Sequence, residues 1–200
     1  MSQSLVLMIR HFGETTAGIY YRWSGYSDAA LKEAREVVNC IYAEEDLSVQ
    51  ALQLRLIRMV EENGGGIDCG VEECEELHAI QSMFPDQTFK TQNIKSSCGL
   101  IAITEKGIDE LVQCAGSIVT IDMDNEEVEN EAFFDDSFDF SEYQKKGYIE
   151  DRNASIEDIP DVGVNLWCFP ISKLDSVIEK IDQRYCGLVR NKDTIYELIV

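Results

Sequence analysis

Residues 4–23 read SLVLMIRHFGETTAGIYYRW, and the reading of this stretch decides the fold class. Two runs rich in β-branched and aromatic residues, 4–10 and 18–23, predict two strands. The segment Gly13-Glu14-Thr15-Thr16 between them predicts the connection of an antiparallel hairpin. Tyr21 and Trp23 are two residues apart on the second run, so both are expected on the same side of it, turned into the core. A helix follows. Ser27 stands where it can cap that helix, and Leu31, Ala34, Val37, Val38 and Ile41 recur at helical spacing.

Working outward, a second helix is expected from about Ser48, with Val49, Leu52, Leu56, Met59 and Val60 on one face. Asn63-Gly64-Gly65-Gly66 ends it. These glycines lack the Lys-Ser/Thr of a phosphate loop and the spacing of a dinucleotide site, so they read as a linker. Residues 72–84 form a third helical pattern stopped by Pro85. Residues 98–103 read as a buried strand, and Thr104 caps a helix that turns Ile108, Leu111, Val112 and Ala115 inward. Residues 117–123 alternate as a strand with Val119, Ile121 and Met123 on one face. A turn at Asp124-Asn125-Glu126 leads into a return strand carrying Val128, Asn130, Ala132 and Phe134. Residues 135–161 read as an acidic loop and 162–169 as a strand. Ser172-x-x-Asp175 resembles a capping box for a helix on Leu174, Val177, Ile178 and Ile181, and 194–200 reads as a last strand. Strands and helices in mixed order, with hairpins, give an α+β fold: a mixed, largely antiparallel sheet with about five helices. The N-terminal hairpin and two helices occupy 1–62 and an acidic α+β part 67–200, expected to form one continuous domain.

Composition narrows the function classes. Of 200 residues, 44% are hydrophobic and three are proline, which fits a globular chain. There are 38 acids against 17 bases, a net charge of −21. That balance argues against direct binding to nucleic acid or to anionic membranes. The charge is local: residues 1–60 are close to neutral, and between Lys106 and Lys145 there are 12 acids and no Lys or Arg. The apolar run Leu5–Ile9 ends at Arg10 and lacks the basic flank and cleavage site of a signal peptide. Seven cysteines, an odd number, then suggest free thiols and a cytoplasmic location. Cys40, Cys98, Cys114 and Cys168 lie among apolar neighbours and are expected to behave as small core residues. Cys69-x4-Cys74-x3-His78 has the look of a ligand cluster, but no fourth ligand stands nearby. Zinc on Cys69, Cys74 and His78 is therefore the alternative, and no cofactor is the leading expectation.

Two stretches resemble known families. Ser4-Leu5 followed by Ile19-Tyr20-Tyr21-Arg22-Trp23-Ser24-Gly25-Tyr26 resembles small, mostly uncharacterised bacterial and phage proteins with an Ile-Tyr-x-x-Trp-x-Gly-Tyr hairpin. It covers roughly the first 40 residues, with Ser24 where that group commonly has Asp. The resemblance implies a bacterial or mobile-element setting and no particular chemistry. Arg10-His11-Phe12-Gly13-Glu14-Thr15 resembles the Arg-His-Gly-Glu-Thr signature of the histidine phosphatases (phosphoglycerate mutase-like). That resemblance implies His11 as a phosphate acceptor and Arg10 as a phosphate ligand. Phe12 interrupts the signature, the family's middle Arg-Ala-x-x-Thr segment is absent, and the second histidine, His78, falls in a helical pattern.

Asp122-x-Asp124-x-Glu126 begins like a calcium loop, but position six is Glu127 and position twelve Phe133, so it reads as the acidic tip of a hairpin. The leading expectation is a non-enzymatic acidic binding protein. Its partner would be basic, such as a nucleic-acid-binding nuclease or effector, and in a phage setting a host defence nuclease inhibited by nucleic-acid mimicry (anti-CRISPR or anti-restriction type). The binding residues would be Asp122, Asp124, Glu126, Glu127, Glu129, Glu131, Asp135, Asp136 and Asp139, with Phe138 as an apolar anchor. One alternative is a hydrolase, using His11 and Arg10 or a metal held by Asp122, Asp124 and Glu129. The other is an acidic structural domain without a strong partner.

Overall fold

Leu5, Val6, Leu7, Met8 and Ile9 are apolar on both sides of an extended chain, so this strand has to be covered on both faces and flanked on both edges. It sits accordingly. The computed structural model describes residues 4–25, 27–68, 74–92, 99–132 and 165–185. In chain order these give β1 (Leu5–His11), β2 (Glu14–Tyr21), α1 (Ser27–Ile41), α2 (Val49–Glu62), β3 (Gly66–Asp68), α3 (Glu75–Met83) and β4 (Thr91–Gln92). Then come β5 (Leu100–Ala102), α4 (Glu105–Gln113), β6 (Ser117–Asp122), β7 (Glu127–Ala132), β8 (Asn165–Pro170), a 3-10 turn (Ile171–Lys173) and α5 (Leu174–Tyr185). The strands form one sheet in the order β4-β3-β5-β2-β1-β6-β7-β8. β1 lies inside it, antiparallel to β2 and parallel to β6. The β2–β5, β6–β7 and β7–β8 pairs are antiparallel, and β3 runs parallel to both β4 and β5. The fold is α+β with a mixed, mostly antiparallel sheet, and five α-helices lie among the described residues. None of these helices is long and apolar enough to cross a membrane.

The period-two rule assigns each face. Leu5, Leu7 and Ile9 join Ile19, Val119, Ile121, Val128 and Phe169 under α1, α2 and α5. Val6 and Tyr20 turn the other way, with Leu100, Ala102 and the Ile108–Leu111 side of α4. Each buried Leu or Ile contributes about 1.5–3 kcal/mol relative to exposure. The first face carries most of the core.

Several expectations are corrected. The β1–β2 turn is only Phe12-Gly13, and Glu14, Thr15 and Thr16 already belong to β2. Phe12 (φ 55°) and Gly13 (φ 77°) take the left-handed pair of a two-residue hairpin turn. A register shift beside Ile9 and Arg10 leaves Thr16 as the extra residue. Its hydroxyl donates to the Ile9 carbonyl (3.1 Å), and its own carbonyl accepts from Gln53 (2.8 Å), so the bulge leaves these groups satisfied. β2 ends at Tyr21, so the alternation stops and Trp23 is 63% exposed rather than in the core. Cys114 and Cys168 are exposed, whereas Cys40 is half-buried against the core as expected. Ser172 lies inside the 3-10 turn that runs straight into α5, so it does not cap that helix from outside. Thr104 does cap α4, accepting the Gly107 amide at 3.1 Å. Cys98 and the expected strand at 194–200 lie outside the described residues.

The glycines at 64–66 are more than a linker, because Gly66 opens β3 within the sheet. A Cβ at Gly65 would stand 2.4 Å from the Gly99 carbonyl oxygen and 2.6 Å from Val60 Cγ1. Backbone sits against backbone there, so nothing flexible can move aside. Gly65→Ala is expected to destabilise the protein by about 2–3 kcal/mol. Urea denaturation measures this, and a midpoint unchanged from the parent protein contradicts the packing described.

Candidate functional site

Two acidic regions that look alike in sequence differ in how the fold uses their carboxylates. The first lies at the end of the sheet, where the β1–β2 and β6–β7 turns meet. Asp122 is buried and faces Arg10 across the parallel β1–β6 pair, with 3.2 Å between carboxylate and guanidinium. It also accepts the Asp124 and Asn125 amides (3.0 Å each) and the Asn125 side-chain amide (3.1 Å). Burial alone would raise its pKa, but the Asn125 backbone and side-chain donors, Arg10 and the Asp124 amide together hold it below the ordinary carboxylate range. Asp124 reaches back to the first hairpin. It accepts the amides of Gly13 (2.7 Å) and Phe12 (3.0 Å) and lies 3.2 Å from His11 Nδ1. The Gly13 and Phe12 amides, then His11, hold its carboxyl low as well.

His11 closes the arrangement. Its ring is 8% exposed, and its Nε2 donates to the Leu47 carbonyl at 3.0 Å, which ties the α1–α2 connection to β1. With Asp124 on one nitrogen and Leu47 on the other, His11 positions three chain segments. Arg10 is likewise committed to Asp122. Asp122, Asp124 and Glu129, weighed as metal ligands, do not converge: among the described residues no three His, Cys, Asp or Glu side chains are placed to hold a metal ion. Cys74 accepts the Leu77 amide as the N-cap of α3 at 3.2 Å, and Cys69 lies outside the described residues.

The second region is the β7 side of the sheet. Val128 and Asn130 are buried under the helices, so Glu127, Glu129 and Glu131 fall on the opposite face. Across β6 and β1 they lie level with Asp122, Thr120 and Ile118, then Arg10, Met8 and Val6. Farther along the same face, Glu14, Glu105 and Asp109 surround a cavity of about 510 Å3 floored by Met8, Ile108 and Val112. On the outer side Glu129 is level with Cys168. The Cys168 thiol donates to Glu127 at 3.4 Å, and burial followed by Glu127 raises its pKa. Among the described residues, Glu14, Glu105, Asp109, Glu127, Glu129 and Glu131 have no ion-pair partner. Of the expected binding residues, this face gathers Glu127, Glu129 and Glu131. Asp122 is buried, Asp124 is engaged, Glu126 is exposed at the turn, and Asp135, Asp136, Phe138 and Asp139 lie outside the described residues. Glu14, Glu105 and Asp109 are not readable as neighbours of this face, because only the packing of α4 on β2 brings them together.

Phe12 is an outlier at the tied end. It is 70% exposed, left-handed, and stacked on His11 with 3.9 Å between ring centroids. Asn tolerates that backbone better, so Phe12→Asn is expected to stabilise the hairpin by about 0.5–1 kcal/mol in a denaturant melt. A clear loss of stability would show the His11 stacking to matter more than the strain. The aspartates set the acid limit. Their folded-state pKa values lie below the unfolded carboxylate value of about 3.9. The stability they give is therefore complete above that value and is lost as pH falls through the lower folded values. Asp124→Asn should lower the melting temperature at pH 7 and flatten its fall between about pH 5 and pH 2. Parallel curves for the two proteins would refute the assignment.

No protein-family model, curated protein or solved structure matches the chain significantly, and what this site does rests on its own side chains.

Proposed function

We propose that this chain is a non-enzymatic, cytoplasmic binding protein whose acidic sheet face occupies the cationic nucleic-acid groove of a partner, in a phage setting a host defence nuclease. The observation that carries the reading is the row Glu127, Glu129 and Glu131 on one face, Glu131 exposed and the other two half-buried, without ion-pair partners among the described residues. Alternate residues on a strand are about 6.7 Å apart, comparable to the step between successive phosphates of a nucleic-acid strand. Glu14, Glu105 and Asp109 extend the negative field on the same side. Among the described residues near this face, Arg10 is paired with Asp122, and Lys106 lies 3.9 Å from Glu110. Such a field accelerates encounter with a basic surface and makes binding salt-sensitive. The hydrolase alternative draws no support from His11, whose two ring nitrogens face Asp124 and the Leu47 carbonyl.

The test is inhibition of DNA cleavage by a panel of bacterial restriction and CRISPR-type nucleases at low salt. Inhibition of at least one is expected, weakening steeply as salt rises. The triple variant Glu127→Lys, Glu129→Lys, Glu131→Lys should inhibit at least tenfold less well. Lys at Glu45, Glu62 and Asp86, a matched charge change away from the face, should leave inhibition near the parent level. If no nuclease is inhibited, or if the face variant inhibits as well as the parent, the reading fails.

A further inference from the structure

On the helix-covered side of the sheet, the end of β2 and the adjacent turns of α1 and α2 enclose a cavity of about 490 Å3. Tyr21, Trp23 and Met59 give it aromatic and apolar walls, and Glu33 and Glu36 add two carboxylates. Trp23 stands at this cavity 63% exposed, so its indole contributes little to the core. Large exposed aromatics of this kind are the side chains that anchor ligands and partners. Arg22 also lines the cavity, and its Cζ lies 5.4 Å from the ring centroid, so the chain's own guanidinium already uses this indole. A planar cation is therefore compatible with that ring by stacking and by its quadrupole.

The carboxylates differ. Glu36 is exposed and lies 3.6 Å from Arg35, which also reaches Asp175. Glu33 is half-buried and accepts the Ser24 hydroxyl at 3.1 Å, and no cation among the described residues is within ion-pair distance of it. An unpaired, partly desolvated carboxylate beside an exposed indole favours an incoming cation with N–H donors and a flat face. Burial, and then Glu36, raises the Glu33 pKa against the Ser24 hydrogen bond, which is the environment that an added positive charge relieves.

We propose that this cavity binds a guanidinium group, which takes the place of Arg22 on Trp23 and directs its N–H donors at Glu33 and Glu36. An ammonium has charge but no plane to stack, so the site favours arginine chemistry over lysine chemistry. The group comes either from a small molecule or from an arginine side chain of a polypeptide. The proposal does not depend on the acidic-face reading, since that face lies on the other side of the sheet.

Calorimetric titration of the full chain tests it with four probes: agmatine, putrescine, and capped tripeptides with a central Arg or a central Lys. Saturable one-to-one binding of agmatine or the Arg peptide is expected, at least tenfold tighter than the matching amine. Binding of agmatine as tight as that of the peptide points to a free ligand, and binding of the Arg peptide alone points to a protein-borne one; either supports the site. Glu33→Gln and Trp23→Leu should each weaken binding at least tenfold, with folding checked by circular dichroism. The exposed Glu36→Gln should weaken it several-fold, and the acidic-face triple variant should leave it unchanged. The proposal is overturned if neither guanidinium probe saturates, if the amines bind equally well, or if folded Glu33, Glu36 and Trp23 variants all bind like the parent.

Discussion

The carboxylates of Asp122 and Asp124 hold together segments that would otherwise end separately at the edge of the molecule. A two-residue turn with Phe in the left-handed region is a poor local solution, because the backbone conformation suits Asn or Gly. Asp124 compensates by accepting both turn amides, Phe12 and Gly13, which the hairpin ladder itself leaves unpaired. Asp122 does the same for the Asp124 and Asn125 amides of the neighbouring turn. His11 passes the constraint to Leu47, which fixes the approach to α2. The registry of β1 against β6 and the position of the second helix thus meet at one small network. Hydrogen bonds to charged acceptors, worth roughly twice neutral ones, are suited to this role.

This network changes how the net charge of −21 is read. A carboxylate that accepts several N–H donors is an internal structural group, and its field is largely answered where it stands. Directly beyond the turn, carboxylates stand on the face away from the helices, because β7 buries Val128 and Asn130 and leaves Glu127, Glu129 and Glu131 on the other side. The difference is one of alternation and turn chemistry, not composition. Charge available to a partner is the part that the fold has not already paired.

Much of the fold was legible because it depends on periodicity. The α1 and α2 stripes, the Thr104 cap and the β6–β7 hairpin all follow from spacing visible in one sequence. The misreadings have local causes. The first turn lies earlier than Gly13-Glu14-Thr15-Thr16 suggests, because Phe12 is not a residue that signals a left-handed turn. Trp23 leaves the core because the strand, and with it the alternation, stops at Tyr21. β3 and β4, of three and two residues, are too short for any pattern, and Gly65 is required by Gly99, a residue distant in sequence. The site was half legible. The glutamate row could be read from β7 alone, but the Asp124–Gly13 contact and the Leu47 carbonyl involve backbone groups that carry no side-chain signal.

The displayed row also carries an electrostatic cost that bears on its use. Two carboxylates about 6.7 Å apart in water repel by about 0.6 kcal/mol before screening, and a middle residue such as Glu129 has two such neighbours. Burial first, and then Glu127 and Glu129, raise the pKa of the adjacent Cys168 thiol. Stability alone would favour a lysine somewhere in this row, since opposite charges across strands stabilise a sheet and like charges do not. A basic partner of the kind proposed would relieve the repulsion, with a benefit largest at low salt and a faster encounter as its mark. The cavity beside Trp23 lies on the opposite side of the sheet and has only two carboxylates, one already near Arg35. Stacking and shape weigh more there than long-range charge, so its affinity should depend on salt less than that of the glutamate face.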